Sequence, residues 1–168
     1  AVDLPPGTYV LSLARDGWQV LGTDLSWPML EAARTRAVAE RGAGRLHLAL
    51  APMDLLPARP GAFDLIIAHG IWNLAASAAE FRRAIAEAAQ AAAPEAGLFV
   101  FTFSRHTLAP ALTPIAGEPY AYTEFSGQPQ TFLTREQLLE ELAAAAFVLD
   151  HAIPLAEHNL PPAGTVHA

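Results

Sequence analysis

Short clusters of Val, Ile, Leu and Phe recur along this chain between longer stretches with helical punctuation, and that alternation constrains the fold more than any other feature. A chain built this way folds as a parallel sheet with crossover helices. The runs Ala1–Leu4, Trp18–Thr23, Leu46–Leu50, Phe63–Ala68, Leu98–Phe103 and Phe147–Ile153 read as strands. Several are apolar on both faces, as buried parallel strands are. The expected class is α/β, with a doubly wound, mostly parallel sheet.

The helices carry their own start and stop signals. Thr8 to Asp16 reads as a short helix closed by Gly17, and Met29 to about Glu40 follows Ser26 as N-cap, with Pro28 tolerated in the first turn. Ser77-Ala-Ala-Glu80 has capping-box spacing ahead of an apolar stripe of Phe81, Ala84, Ile85 and Ala88. Thr134-Arg-Glu-Gln137 repeats the device, with Leu133 and Leu138 placed as a hydrophobic staple and a helix expected to about Ala146.

Residues 106–132 break the pattern with four prolines, two glycines and four aromatics. An excursion of that length inside a compact domain is usually functional, so it reads as a lid or substrate-facing insertion; a surface loop pinned by its own aromatics is the plainer alternative. No internal repeat or linker divides the 168 residues, and one domain over 1–168 is expected.

Charge and residue usage exclude several function classes. A formal net charge of -7 gives no electrostatic reason to approach nucleic acid or anionic lipid. All 10 basic residues are Arg, and the missing Lys removes a P-loop lysine, a Schiff-base lysine and the Tyr-x-x-x-Lys pair of short-chain dehydrogenases. With no Cys there are no disulfides or thiolate metal sites, and the composition leans towards the cytoplasm. No apolar run reaches membrane-spanning length, and the chain opens without a signal-like leader.

Open α/β sheets bind ligands beyond the carboxyl ends of their strands. Asp24 directly follows the run Trp18–Thr23, 17 positions after Gly7. A carboxylate there can accept hydrogen bonds from both hydroxyls of a ribose, although an Asp that helps to cap the next helix would look the same. Pro52-Met53-Asp54 could lay Met53 on an adenine face while Asp54 or a backbone amide reads its edge, or could simply be a turn. His69 emerges at the end of Phe63–Ala68, as a general base, a substrate partner or a structural histidine.

Three segments together resemble the class I S-adenosylmethionine-dependent methyltransferases, in particular the small-molecule type similar to tellurite-resistance and ubiquinone-biosynthesis methyltransferases. They are Val20-Leu21-Gly22-Thr23-Asp24-Leu25-Ser26 with Met29-Leu30-Glu31-Ala32-Ala33, Phe63-Asp64-Leu65-Ile66 with Ala68-His69-Gly70, and Pro94-Glu95-Ala96-Gly97-Leu98-Phe99-Val100. The resemblance implies a Rossmann-like fold and S-adenosylmethionine as cofactor. It implies Asp3 and Gly7 near the methionine part, Asp24 on the ribose, Met53 and Asp54 around adenine, Thr8 and Leu25 also at the cofactor, and Ala68 and His69 at the methyl-transfer face. His69 is then the candidate catalytic residue, and Arg105, His106, Tyr120 and Tyr122 the candidate contacts to a small-molecule methyl acceptor. Such chemistry calls for positioning more than covalent help, and no metal is expected.

The family loop reads roughly Asp-Leu-Gly-x-Gly-x-Gly, whereas here Leu4 runs into Pro5-Pro6-Gly7-Thr8-Tyr9, leaving Gly7 to match the last glycine. Truncation at both ends is expected as well, since helices before the first strand and a seventh strand are missing. The opposing hypothesis is therefore a non-catalytic relative kept as a binding or scaffold domain. An interrupted backbone between Leu4 and Pro5 would favour the enzyme, and a continuous tight turn the scaffold. A nicotinamide-dependent oxidoreductase is a third reading, opposed by the glycine spacing and the missing Lys.

Overall fold

The structure, a computed structural model, describes residues 7–40, 43–153 and 155–157. Its contacts divide the chain into two compact units, Ala1–Pro57 and Ala58–Ala168. The expected first strand, Ala1–Leu4, and the backbone between Leu4 and Pro5 lie outside the described residues.

In the first unit, helix α1 (Thr8–Arg15) leads into strand β1 (Val20–Asp24), helix α2 (Trp27–Ala39) and strand β2 (Leu46–Leu50). The two strands pair in parallel, Val20 opposite Leu46 through Asp24 opposite Leu50. They form a strand–helix–strand unit with α2 packed on both strands. Its core side includes Leu30, Ala33 and Ala37 of α2 and Leu11 and Ala14 of α1. Gly22 lets α1 lie close to the sheet: a Cβ there would come within 3.0 Å of Leu48 and 3.2 Å of Val10.

The second unit repeats the plan with strand β3 (Phe63–His69), helix α3 (Ala78–Ala91) and strand β4 (Ala92–Phe101), again parallel. Phe63 faces Ala92 but Leu65 already faces Gly97, so Ala93 to Ala96 stand opposite Asp64 alone. Pro94, which has no amide to give the ladder, and Glu95, at φ 64°, make this irregularity. Strand β4 therefore begins earlier than the run Leu98–Phe103 suggested.

Capping sets the helix starts. Ser77 accepts from the Glu80 amide at 3.2 Å, while the Glu80 carboxylate reaches the Ala76 amide at 2.7 Å. Helix α4 (Arg135–Ala144) opens with a complete capping box between Thr134 and Gln137, and Leu133 and Leu138 beside it are buried. Ser26 holds the N-cap position of α2, but its side chain makes no cap hydrogen bond among the described residues.

Residues 106–132 fold onto their own unit. Strands β5 (Ala121–Tyr122) and β6 (Gln130–Thr131) form a short antiparallel pair. Phe103, Tyr122, Phe125 and Phe132 make a ring cluster with centroids 5.2–6.1 Å apart, and Phe132 has no exposed surface. Glu118 accepts from the Ala78 amide at 2.7 Å, tying the excursion to the start of α3.

Phe147–Ile153, read from the sequence as a strand, is not one. Asp150 gathers the chain into a turn, its side chain accepting from the Ala152 amide at 2.9 Å and its carbonyl from the Ile153 amide at 3.2 Å. Val148, which a buried strand would enclose, is 89% exposed.

Candidate functional site

Parallel pairing brings the carboxyl end of β1 beside that of β2. Asp24 is the last residue of β1, and its carbonyl accepts from the Ala51 amide at 3.2 Å, so the turn holding Met53 and Asp54 starts beside it. This end of a parallel pair is where α/β folds take their ligands. Asp24 Oδ1 accepts from the Ser26 amide at 2.8 Å, the short-range turn typical of Asp before a helix. A carboxylate offers about four lone-pair positions, so this one bond leaves room to accept others. Leu25 is 70% exposed, and Met53 and Asp54 are half-buried. These four residues, all singled out in the sequence, are brought together in one unit.

Gly7 and Thr8 stand at the start of α1, with Gly7 at φ 76°. Thr8 accepts through its hydroxyl from Arg36 of α2 at 3.2 Å. A Cβ on Gly7 would lie 2.8 Å from Ala33 Cβ, so the missing side chain serves the contact between α1 and α2. Asp3 lies outside the described residues.

In the second unit Ala68 is buried, whereas His69 is exposed at the end of β3. The imidazole stacks on Phe101, its cross-strand partner, with centroids 4.6 Å apart and planes within 15°. The stack fixes the ring's orientation and leaves it open to solvent.

The four residues expected at a substrate are not equivalent. Arg105 donates to the carbonyls of Leu108, Ala109, Pro110 and Leu112, the last at 2.8 Å, and sits 5.0 Å from the Tyr122 ring centroid. It organises the start of the excursion. Tyr122 is 4% exposed and Tyr120 2%, and the Tyr120 hydroxyl donates to Glu141 at 2.9 Å. Burial first, and then the Glu141 carboxylate, raise the Tyr120 phenol far above its ordinary range. Both tyrosines thus serve the core of this unit. His106 is exposed, and its Nδ1 lies 3.0 Å from Glu157, which also takes the Ser104 hydroxyl. Those bonds, Ser104 first, hold the Glu157 carboxyl below its usual range.

Three side chains of the second unit carry no functional signal in the sequence. Asn73 Oδ1, Thr102 Oγ1 and Gln130 Oε1 are buried with no hydrogen-bond partner among the described residues. No periodicity marks an isolated polar residue, and the one available signal is that Asn73 and Thr102 follow strands. Among the described residues no group of three or more His, Asp or Glu could hold a metal, and no helix is long and apolar enough to cross a membrane.

A family profile described as "Methyltransferase domain" matches residues 5–95, more than half of the chain. No curated protein matches the sequence. Among solved structures, an S-adenosylmethionine-dependent methyltransferase from Mesorhizobium loti is 21% identical, with a TM-score of 0.70 over 86% of this chain and 71% of that one. A SAM-dependent methyltransferase from Methanosarcina mazei is 19% identical, with a TM-score of 0.66 over 88% and 77%. The 4+2 cyclase SpnF is 26% identical, with a TM-score of 0.61 over 83% of this chain, which spans only 46% of the cyclase's length. These likenesses reach the family and its Rossmann-like α/β fold, and not the tellurite-resistance or ubiquinone-biosynthesis branch. By its sequence match and its fold, the chain belongs to the class I S-adenosylmethionine-dependent methyltransferases.

Proposed function

We propose that this chain is a single methyltransferase core that transfers a methyl group from S-adenosylmethionine to a small-molecule acceptor. The observation that carries the reading is the Asp24 carboxylate beside the Ala51–Asp54 turn, at the carboxyl ends of two parallel strands. The residues present fit the cofactor's nucleoside. Asp24 keeps acceptor capacity for ribose hydroxyls, and Leu25 and Met53 offer apolar surface. Asp54 supplies a polar edge, with Gly7, Thr8 and Asp3 serving the methionine part. Bound S-adenosylmethionine supplies a methyl already activated by its sulfonium, so the protein's work is to hold the acceptor in line.

His69 is the proposed proton acceptor, its ring oriented by the Phe101 stack, with the Ala68 backbone beside it. Of the expected substrate contacts, only His106 presents an exposed side chain; Arg105 is taken up by backbone carbonyls of the excursion, and Tyr120 and Tyr122 by the core of the unit. The net charge of -7 speaks for a small molecule over a nucleic acid, and the lack of Cys suits a cytoplasmic setting.

The test is incubation with methyl-labelled S-adenosylmethionine and a panel of small hydroxy and amino compounds. Formation of S-adenosylhomocysteine that depends on one acceptor supports the proposal, and its absence from every mixture with a cofactor-bound protein speaks against it. A binding or scaffold role is the second reading. It is favoured by Gly7, whose missing Cβ is taken up by Ala33. The likeness to a cyclase adds that this fold carries chemistry beyond methyl transfer.

A further inference from the structure

We infer that Glu157 is a positioning residue for His106: it fixes the imidazole as the Nδ1–H tautomer, so that Nε2 is offered outward as a hydrogen-bond acceptor to an O–H or N–H group of the methyl acceptor. The contact to the methyl acceptor rests on the methyltransferase reading above, whereas the positioning stands on geometry alone.

Glu157 reaches His106 across 51 positions of the chain. Its Oε1 lies 3.0 Å and its Oε2 3.2 Å from His106 Nδ1, and the Ser104 hydroxyl donates to Oε1. The turn that carries His106 is itself held in place. Ser104 accepts through its hydroxyl from the His106 amide at 3.1 Å, and its carbonyl accepts from the Thr107 amide at 2.9 Å. The Arg105 amide donates to the carbonyl of buried Leu133 at 2.9 Å, just ahead of α4.

An ionised carboxylate has nothing to donate. Ser104 first, and then His106 and Arg135, hold the Glu157 carboxyl below its usual range against the burial that opposes them. The hydrogen between the two side chains therefore sits on Nδ1, and the partner of one ring nitrogen decides the state of the other. In the neutral ring Nε2 keeps its lone pair. It has no hydrogen-bond partner among the described residues, and its side chain is 59% exposed. A hydroxyl or amine hydrogen meets an acceptor there, and a ligand's own acceptor atom meets no hydrogen. The one exposed contact of the excursion is thus set by a residue from outside it.

Ring-15N-labelled histidine in the full chain tests the positioning at an alkaline pH that keeps the imidazole neutral, because nitrogen shifts separate ring nitrogens with and without hydrogen. For His106 the Nδ1–H form is expected in at least about tenfold excess. Glu157→Ala should let both forms appear, and Glu157→Gln, which keeps an uncharged acceptor, should fall between. Comparable populations in the wild type, or the same excess in Glu157→Ala, would overturn the positioning. The contact is read kinetically with the hydroxy or amino compound that supports S-adenosylhomocysteine formation. Glu157→Ala should raise KM for that compound about two- to fivefold, as the competent tautomer becomes a fraction of the whole, with kcat little changed. In a His106→Ala background the same substitution should add nothing. An unchanged KM, or an equal rise without His106, would overturn the contact. A tautomer that responds to Glu157 in a chain that turns over no compound of the panel would remove the methyltransferase reading and leave the positioning in place.

Discussion

Gly7 and Ala33 meet where only a hydrogen fits: a β-carbon on Gly7 would lie 2.8 Å from that of Ala33. Gly7 also holds φ at 76°, a conformation that side chains oppose. Gly7→Ala is expected to lower stability by about 1–3 kcal/mol, read as a lower denaturant midpoint. Adding Ala33→Gly should recover part of the loss, because the clash goes but the left-handed backbone stays. An unchanged midpoint for Gly7→Ala would mean that α1 and α2 do not pack this closely.

The opposite change is predicted at the end of α4. Ala146 has φ 65°, and the Phe147 amide donates to the Leu142 carbonyl at 3.0 Å, closing a left-handed cap that normally carries glycine. Ala146→Gly should stabilise by about 0.5–1 kcal/mol, seen as a higher denaturant midpoint. A destabilised variant would contradict the cap.

Helix starts differ in what their serine and threonine side chains hold. Thr134→Ala is expected to cost about 1 kcal/mol, since it breaks a complete capping box. Ser26→Ala should be nearly neutral, because its amide, not its hydroxyl, carries the contact with Asp24. Equal losses at the two positions in chemical denaturation would contradict this assignment.

Arg82 donates to both oxygens of Glu141, at 2.7–3.1 Å, and Tyr120 donates to one of them. Arg82 first, and then Tyr120, hold the Glu141 carboxyl below its ordinary value of 4.5. A carboxyl lowered on folding contributes stability that is present above about pH 4.5 and lost as pH falls through the folded value. The Tyr120 phenol is raised above 10.0, so its contribution is present below pH 10 and lost as pH rises beyond it. Stability measured across pH should fall at both ends; Glu141→Gln should flatten the acid limb and Tyr120→Phe the alkaline one. Unaltered limbs in these variants would place the titrating groups elsewhere.

Local chemistry was legible in the sequence, and of the long-range relationships only those that strand order implies were. Leu46–Leu50 and the Thr134 capping box were readable because alternation and caps depend on residues a few positions apart. The gathering of Asp24 with Met53 and Asp54 followed from strand ends alone. Tyr120 and Tyr122 read as lid residues because a Pro-rich stretch has no period, and nothing local announces that Tyr120 pairs with Glu141, 21 residues away. Arg105 looked available because its partners are backbone carbonyls, which a sequence does not display. Phe147–Ile153 was apolar enough for a strand, but Asp150 makes a turn there.

The most direct test of the account is calorimetric titration of the folded chain with S-adenosylmethionine and then S-adenosylhomocysteine. The account predicts saturable binding of both, weakened at least about tenfold by Asp24→Ala. Asp24→Asn should fall in between, since it keeps an acceptor for the Ser26 amide but loses the charge. No saturable heat from a folded chain, or the same affinity in Asp24→Ala, would contradict the cofactor site and leave a scaffold of methyltransferase descent.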